Sequence, residues 1–510
     1  MKKDNKFYDA IEKETNKTTT ENGAGSFSST LNKNLDFFAQ ASAERGSDTV
    51  FKNLFEPAVF ENPELALKNL FYLRDVRGGN GERQIFRDCL EGFFRNIKKY
   101  KLGKITNARI RNFLKLIPEY GRWDDLIELN TYSKTFENIK CSIIKDQFVT
   151  DMKNALADKP VSLLAKWFPV YNNVKNPERK RWAKKLCYKI FQGDFKKARE
   201  IVGTLRSYID IVEKRMSTND WLNIDYSKVP SRAGLLYRDT FGTHDPKGYN
   251  QFLNRVLDGT EKINAGTLAP YEIVREYRKE YFKNNDCCIN DTLEEMWKAL
   301  PGDVNTQNAI CVVDVSGSME WTRSRGSKPI DVAVSLGIYF AERNPTEVFR
   351  NKFLTFSQNP SFVSFDENMS LFDRIEKTEQ ADWGANTNIA RVFDVILSTA
   401  RDHNLKNSDM PKTIFIISDM QFDACCNFGA ETAYDAIRNK YKNSGYDLPT
   451  ICFWNVAARV GNIPVLNNEK NVTLVSGFSQ NNFRFVMEGK TPVELMNEVL
   501  GSDRYENVKL

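Results

Sequence analysis

Near Pro301 the chain changes texture, and that change constrains the fold more than any other feature. Beyond it, short apolar blocks rich in β-branched and aromatic residues recur: AICVVDVS, NKFLTFS, TIFIISDM, PTICFWNVAA and NVTLVSG. They alternate with helical stretches such as DVAVSLGIYFAER, IARVFDVILSTARD and TAYDAIRNKYKN. Strands buried on both faces read as continuous apolar runs, and intervening helices make the crossovers of a parallel sheet. Residues 305–510 are therefore expected to form a doubly wound, mostly parallel α/β domain.

Residues 35–300 follow a different rule. PELALKNLFYLRDV places Leu65, Leu67, Leu70, Phe71 and Val76 near a 3.6-residue period. IRNFLKLIPEYGRWDDLIEL repeats the pattern on either side of an expected break at Pro118 and Gly121. The stretch 177–216 reads as consecutive helices broken near Gly193. Helices of this length with short breaks and no strand alternation suggest stacked helical pairs, an all-α module of solenoid type without a fixed sequence period. The opening residues, 1–34, are rich in Lys, Asn, Thr and Ser and are expected to be a flexible segment.

Composition narrows the class. A chain of 510 residues exceeds one compact core, so two or more domains are expected. No apolar run reaches the ~18 residues of a membrane span, and the start lacks the apolar core of a signal peptide. The nine cysteines lack metal-ligand spacing and fit a reducing, cytoplasmic setting. With only His244 and His403, a zinc enzyme or a histidine-based triad is disfavoured, and no enzymatic activity is expected. Cations are in excess over residues 1–300 and carboxylates over 301–510, which hints at a polyanionic partner for the first part; solvated helix faces would give the same asymmetry.

Within the α/β part, three polar loops carry the candidate chemistry. Asp314, Ser316 and Ser318 follow the run AICVV; Thr387 lies in WGANTN, before a helix; Asp419 follows TIFIIS. Ligand sites of such sheets lie beyond the carboxyl ends of the strands, where these loops should gather. Two carboxylates and three hydroxyls make an all-oxygen set suited to Mg²⁺, with Mn²⁺ or Ca²⁺ as alternatives. Asp382 and Asp423 are nearby spare carboxylates.

This pattern, D-x-S-x-S, then a threonine loop, then an aspartate after a later strand, resembles the metal-ion-dependent adhesion site of von Willebrand factor A domains. The order of a basic helical region before an A-domain is in turn similar to the Ro ribonucleoprotein family, with its HEAT-like (TROVE) helical module. TENGAGSFSSTLNKNLDFFAQASAERG, LFYLRDVRGGNGERQIFRD and YGRWDDLIEL resemble Ro-like proteins of viruses, plants and protists. The resemblance implies a ring that engages single-stranded ends of structured or misfolded RNA, with the metal site left for an acidic protein partner.

Read directly, two basic stretches could contact RNA. Arg74, Arg77, Arg83 and Arg87 surround Gly78-Gly79-Asn80-Gly81, although a helix–helix turn with solvated arginines fits equally. Arg179, Lys180, Arg181, Lys184, Lys185, Lys189, Lys196 and Lys197 are interleaved with Trp182, Tyr188 and Phe191. Aromatics at helical spacing are more often core, so the cations carry the expectation. The leading reading is an RNA-binding ribonucleoprotein component. The alternative is a metal-dependent protein-interaction or assembly protein, possibly virus-encoded, with the helices as scaffold.

Overall fold

The computed structural model describes residues 11, 14–45, 47, 49–103, 105–171, 174–283, 288–301, 304, 308–320, 327–356, 360–381, 388–423, 432–458, 461–485 and 489–510. Thr387, Asp382 and most of the WTRSRGSK insert lie outside them. A helix-rich N-terminal part precedes a C-terminal, mostly parallel sheet, as the change of texture predicts. By contact the chain forms two compact units: residues 1–69, 78–80 and 265–502, and residues 70–77, 81–264 and 503–510. Compactness thus does not follow the linear boundary near residue 300.

The first unit is built on six strands: β3 (Ala309–Asp314), β4 (Lys352–Phe356), β5 (Ser361–Ser364), β6 (Thr413–Ser418), β7 (Thr450–Asn455) and β8 (Val472–Ser476). Their order is β5-β4-β3-β6-β7-β8, and β5 alone pairs antiparallel. Every residue of β3, β6, β7 and β8 is buried, which is why their sequences run apolar without alternation. From β3 the chain moves to β4 on one side and later to β6 on the other, so the strand order reverses between β3 and β6. Asp314 ends β3, and Val313 pairs in register with Ile417, two residues before Asp419.

The helix Pro329–Arg343 is buried from Pro329 through Ala341 and packs on β3, β4 and the helix Pro270–Lys283. Such burial requires close approach. A Cβ at Gly337 would stand 2.6 Å from Val313 Cγ2, so glycine lets the helix lie on the sheet.

The expected flexible segment is structured over its described part. Strand β1 (Lys17–Thr19) pairs with β2 (Gly25–Phe27), and β2 is buried. Phe27 and Ile463 exchange both backbone hydrogen bonds at 2.9 Å. The Ser/Thr-rich composition that reads as disorder instead supplies short-range caps: Asp36 accepts from Ser29 Oγ at 2.5 Å and from Thr30 Oγ1 at 2.7 Å. Asn32 then caps the helix Lys33–Gln40 through Leu35 N at 2.8 Å.

In the second unit, among its described residues, the regular structure is helical. The helices Gln84–Asn96, Asn107–Tyr120, Trp123–Glu128, Lys134–Leu156, Pro177–Phe191 and Phe195–Ile209 follow one another with short breaks. Each of the last two packs on helix 134–156. Phe71 meets Phe86, Phe113 and Tyr120 edge-on in the core. Helix 177–191 ends at Gln192 and Gly193, both at positive φ, near the predicted break. Pro118 does not interrupt helix 107–120. It stands two residues before the end, where only the last turn feels the lost donor.

Candidate metal site and basic surfaces

At the carboxyl ends of β3 and β6, Asp314, Ser316 and Asp419 are buried. Asp314 Oδ1 accepts from Ser316 N at 2.9 Å, and its Oδ2 accepts from Ser418 Oγ at 2.6 Å. Ser316 and Ser318 hydroxyls lie 3.0 Å apart, and Asp419 Oδ1 accepts from Gln421 N at 3.1 Å. Burial, and then the charge of Asp419, push the Asp314 carboxyl up to about 7. Two desolvated carboxylates beside two hydroxyls form a donor set that a hard divalent cation would satisfy, since it neutralises charges that water does not reach. The residues fit the cation that the pattern implies. Thr387 lies outside the described residues, so the set here is Asp314, Ser316, Ser318 and Asp419. Asp423 forms a bridge with Gly23 at the edge of the same loop.

Three supports of this site are not apparent from the sequence pattern. Ser418 is the last residue of β6, and its hydroxyl holds Asp314 while accepting Met420 N at 3.0 Å. Its place directly before Asp419 was the available signal. Thr20 Oγ1 donates to Phe422 O at 2.7 Å, and Asn22 Nδ2 to Gln421 O at 2.8 Å. Glu21 N donates to Gln421 Oε1 at 2.9 Å, so the N-terminal hairpin turn braces the segment after Asp419. Arg278, finally, contacts Glu320 at 3.0 Å, at the end of the turn that carries Ser318.

In the first basic stretch Arg74 and Arg87 are drawn into an ion network, while Arg77 and Arg83 are exposed. Arg74 is 1% exposed, and its Nε donates to Asp125 Oδ2 at 2.9 Å. Arg87 Nε donates to Asp125 Oδ1 at 2.7 Å, and the same guanidinium pairs with Asp124 and Glu128. Arg83 is exposed and pairs with Asp124 at 2.9 Å. The arginines of LFYLRDVRGGNGERQIFRD thus meet the acids of YGRWDDLIEL: the two motifs are halves of one ion network. Gly121 belongs to it sterically, because a Cβ there would lie 2.5 Å from Asp125 Oδ2 and 2.8 Å from Arg74 Nε. The expectation of RNA contact at Arg74 and Arg87 is corrected on these grounds. Arg77 alone of the four is exposed and away from this network.

The second stretch is different. On helix 177–191, Lys180, Arg181, Lys184, Lys185 and Lys189 are exposed, while Ala183, Leu186, Cys187 and Ile190 are buried. Arg179 is exposed but pairs with Glu128 at 2.6 Å, and Lys189 lies 3.4 Å from Glu137. Lys196 and Lys197 are exposed on the next helix. The aromatics divide: Phe191 packs on Phe148 and Phe168, whereas Tyr188 is 62% exposed.

A helical unit with an exposed basic face and an α/β unit with buried oxygen donors at the strand ends define a two-unit class of chain. Residues 20–129 and 141–309 match the family described as "Domain of unknown function (DUF2828)", more than half of the sequence, and the chain belongs to that family. Residues 308–509 match a second family, "Domain of unknown function (DUF7788)". The chain is also similar to "Uncharacterized protein L728" of Acanthamoeba polyphaga mimivirus, 27% identical over 523 aligned residues covering 95% of this chain and 87% of that one. Among solved structures it is similar to the Deinococcus radiodurans RO (RSR) protein, at 13% identity and a TM-score of 0.47, over 93% of this chain and 100% of that one. No helix among the described residues is long and apolar enough to cross a membrane.

Proposed function

We propose that the chain is a non-enzymatic, cytoplasmic RNA-binding protein whose helical unit contacts RNA through the basic face of helices 177–191 and 195–209. The observation that supports this reading is the separation of faces on helix 177–191. Lys180, Arg181, Lys184 and Lys185 point to water while the opposite side is apolar core. A cationic helix face follows a phosphate backbone, and exposed Tyr188 offers a ring on which an unpaired base can stack.

In the same reading the α/β unit holds a divalent cation, Mg²⁺ foremost, through Asp314, Ser316, Ser318 and Asp419, with Thr387 completing the set. A bound cation would supply an open coordination position for an acidic group of a protein partner. Ser418 and Gln421 orient the two carboxylates, and the turn Thr20–Asn22 keeps the Asp419 loop in place.

The test is binding of the full chain to a structured RNA with a single-stranded 3′ tail, at two salt concentrations, with and without EDTA. Tail-dependent, salt-sensitive binding that survives EDTA supports the reading. Absence of binding at low salt removes it, and leaves the metal-dependent assembly protein, which the buried Asp314–Asp419 pair favours by itself.

A further inference from the structure

We infer that the helical unit carries a second anion site, a pocket for a compact polyphosphate, between helix 107–120 and the segment 503–510. The cavity has a volume of about 780 Å³, within the range of small-molecule sites, and all of its lining residues belong to the second unit. Among the described residues, Arg77, Arg109, Lys115, Arg504 and Lys509 line it, against Glu119 and Asp503 as the lining carboxylates.

The pocket is built rather than incidental. Helix 107–120 turns Ile110, Phe113, Leu114 and Ile117 into the core. It thereby presents Arg109, Asn112, Lys115 and Glu119 as a stripe at helical spacing along the cavity. The facing wall is fixed by Asp75, fully buried, which accepts from Arg504 Nη2 at 2.6 Å and from Tyr505 Oη at 3.0 Å. Tyr505 is buried and stacks on Tyr120, whose hydroxyl donates to Arg504 O. Arg504 is therefore held in place by a two-point ion pair with Asp75, through Nε and Nη2, and the unpaired charge of the cavity comes from Arg109, Lys115 and Lys509.

The side chains of Arg109, Lys115 and Lys509 are exposed and make no ion pair among the described residues. Like charges gathered in a concavity repel, and an anionic ligand relieves that cost while collecting several charge-assisted hydrogen bonds. The excess of cations and the size of the cavity fit several linked phosphates better than one. Such a group occurs as a free small polyphosphate or as the 5′-triphosphate of an RNA. The site shares no residue with helices 177–191 and 195–209, so it stands apart from the RNA surface proposed above.

The experiment is calorimetric titration of the full chain with inorganic tripolyphosphate. One-to-one saturable binding is expected, at least about tenfold weaker in Arg109→Glu/Lys115→Glu for loss of contacts to a charged group. Circular dichroism verifies that this variant is folded, and Lys180→Glu/Lys184→Glu should leave tripolyphosphate affinity unchanged. Parallel titrations with a 5′-triphosphate and a 5′-hydroxyl oligoribonucleotide separate the sources. Tighter binding of the triphosphate RNA than of tripolyphosphate, lost in Arg109→Glu/Lys115→Glu, identifies an RNA end. Equal binding of both RNAs with retained tripolyphosphate binding identifies a free small polyphosphate. Lack of saturable tripolyphosphate binding, or affinity unchanged by Arg109→Glu/Lys115→Glu, overturns the inference.

Discussion

The guanidinium of Arg278 meets the carboxylate of Asp331 at 2.6 Å, with both side chains almost wholly withdrawn from water. The same guanidinium lies 2.7 Å from Glu379 and 3.0 Å from Glu320, so one buried cation serves three acids. Burial holds the Glu379 carboxyl above its ordinary range despite Arg278. For Glu320 burial is outweighed by Lys328 and Arg278, and the carboxyl is held low. Breaking a buried pair leaves an uncompensated charge, typically at a cost of about 3–5 kcal/mol. Arg278→Met should therefore destabilise the chain by about that amount in urea unfolding. The sign with pH follows. Without Arg278 the folded-state pKa values of Glu320 and Glu379 rise, so ionised Glu379 opposes folding more strongly and ionised Glu320, still held by Lys328, favours it less. The penalty should be largest near pH 8 and shrink toward pH 5 as these acids take up protons. A penalty independent of pH would show that packing, not charge, is what Arg278 contributes.

Arg74 and Arg87 converge on Asp125 in the second unit, and Gly121 leaves room for them. Asp125→Ala strands buried Arg74 and should cost about 3–5 kcal/mol. Gly121→Ala should also destabilise, because its Cβ would press on the Arg74–Asp125 pair itself. RNA affinity per folded molecule should be unchanged in Gly121→Ala, since the Arg74–Asp125 pair that it would press on is buried. A selective loss of RNA affinity with wild-type stability would return Arg74 to the binding surface.

On helix 177–191 the expected behaviour is opposite. Lys184→Glu/Lys185→Glu alters exposed side chains and should change stability by no more than about 0.5 kcal/mol. RNA affinity should fall at least tenfold or so, and the slope of log affinity against log salt should flatten by roughly 0.7 per lost single-strand contact. Fluorescence anisotropy across a salt series reads both. Tyr188→Ala should weaken single-stranded RNA by about 1–3 kcal/mol if a base stacks on its ring.

These contrasts show what a one-dimensional reading can see. The apolar blocks of β3 and β6 announce buried strands because every residue in them faces the core, and Asp314 and Asp419 stand out because they end such blocks. Ser418 is marked only by its place directly before Asp419, since a serine at a strand end otherwise looks like the start of a loop. Arg74 misleads for a related reason: whether an arginine faces solvent depends on Asp125, 51 positions away. Local composition cannot reveal that partner. The order of residues 17–30 was hidden in the same way, because Ser29 after the hairpin is matched by Asp36 and Thr20 in its turn by the backbone after Asp419. Lys180, Lys184 and Lys185 were legible because helical spacing alone separates them from Ala183, Leu186 and Cys187.

The carboxylates of Asp314 and Asp419 allow the metal proposal to be tested without any partner. With no cation, burial and mutual repulsion make the pair costly, which is why Asp314 is pushed up to about 7. A cation that binds only the folded chain stabilises it by RT ln(1 + [L]/Kd), about 2.7 kcal/mol at a hundredfold excess over Kd. Mg²⁺ should therefore raise the melting temperature of the full chain, and EDTA should reverse the rise. In Asp314→Ala the rise should vanish. Without Mg²⁺, however, that variant should melt no lower than the wild type, because one buried charge has been removed from beside another. Ser418→Ala should keep a smaller Mg²⁺ response, since it loosens Asp314 without removing a ligand. A Mg²⁺ response that persists in Asp314→Ala would place the cation elsewhere. A large loss of stability in Asp314→Ala without metal would mean that the carboxylate is held by protein hydrogen bonds rather than kept for a cation.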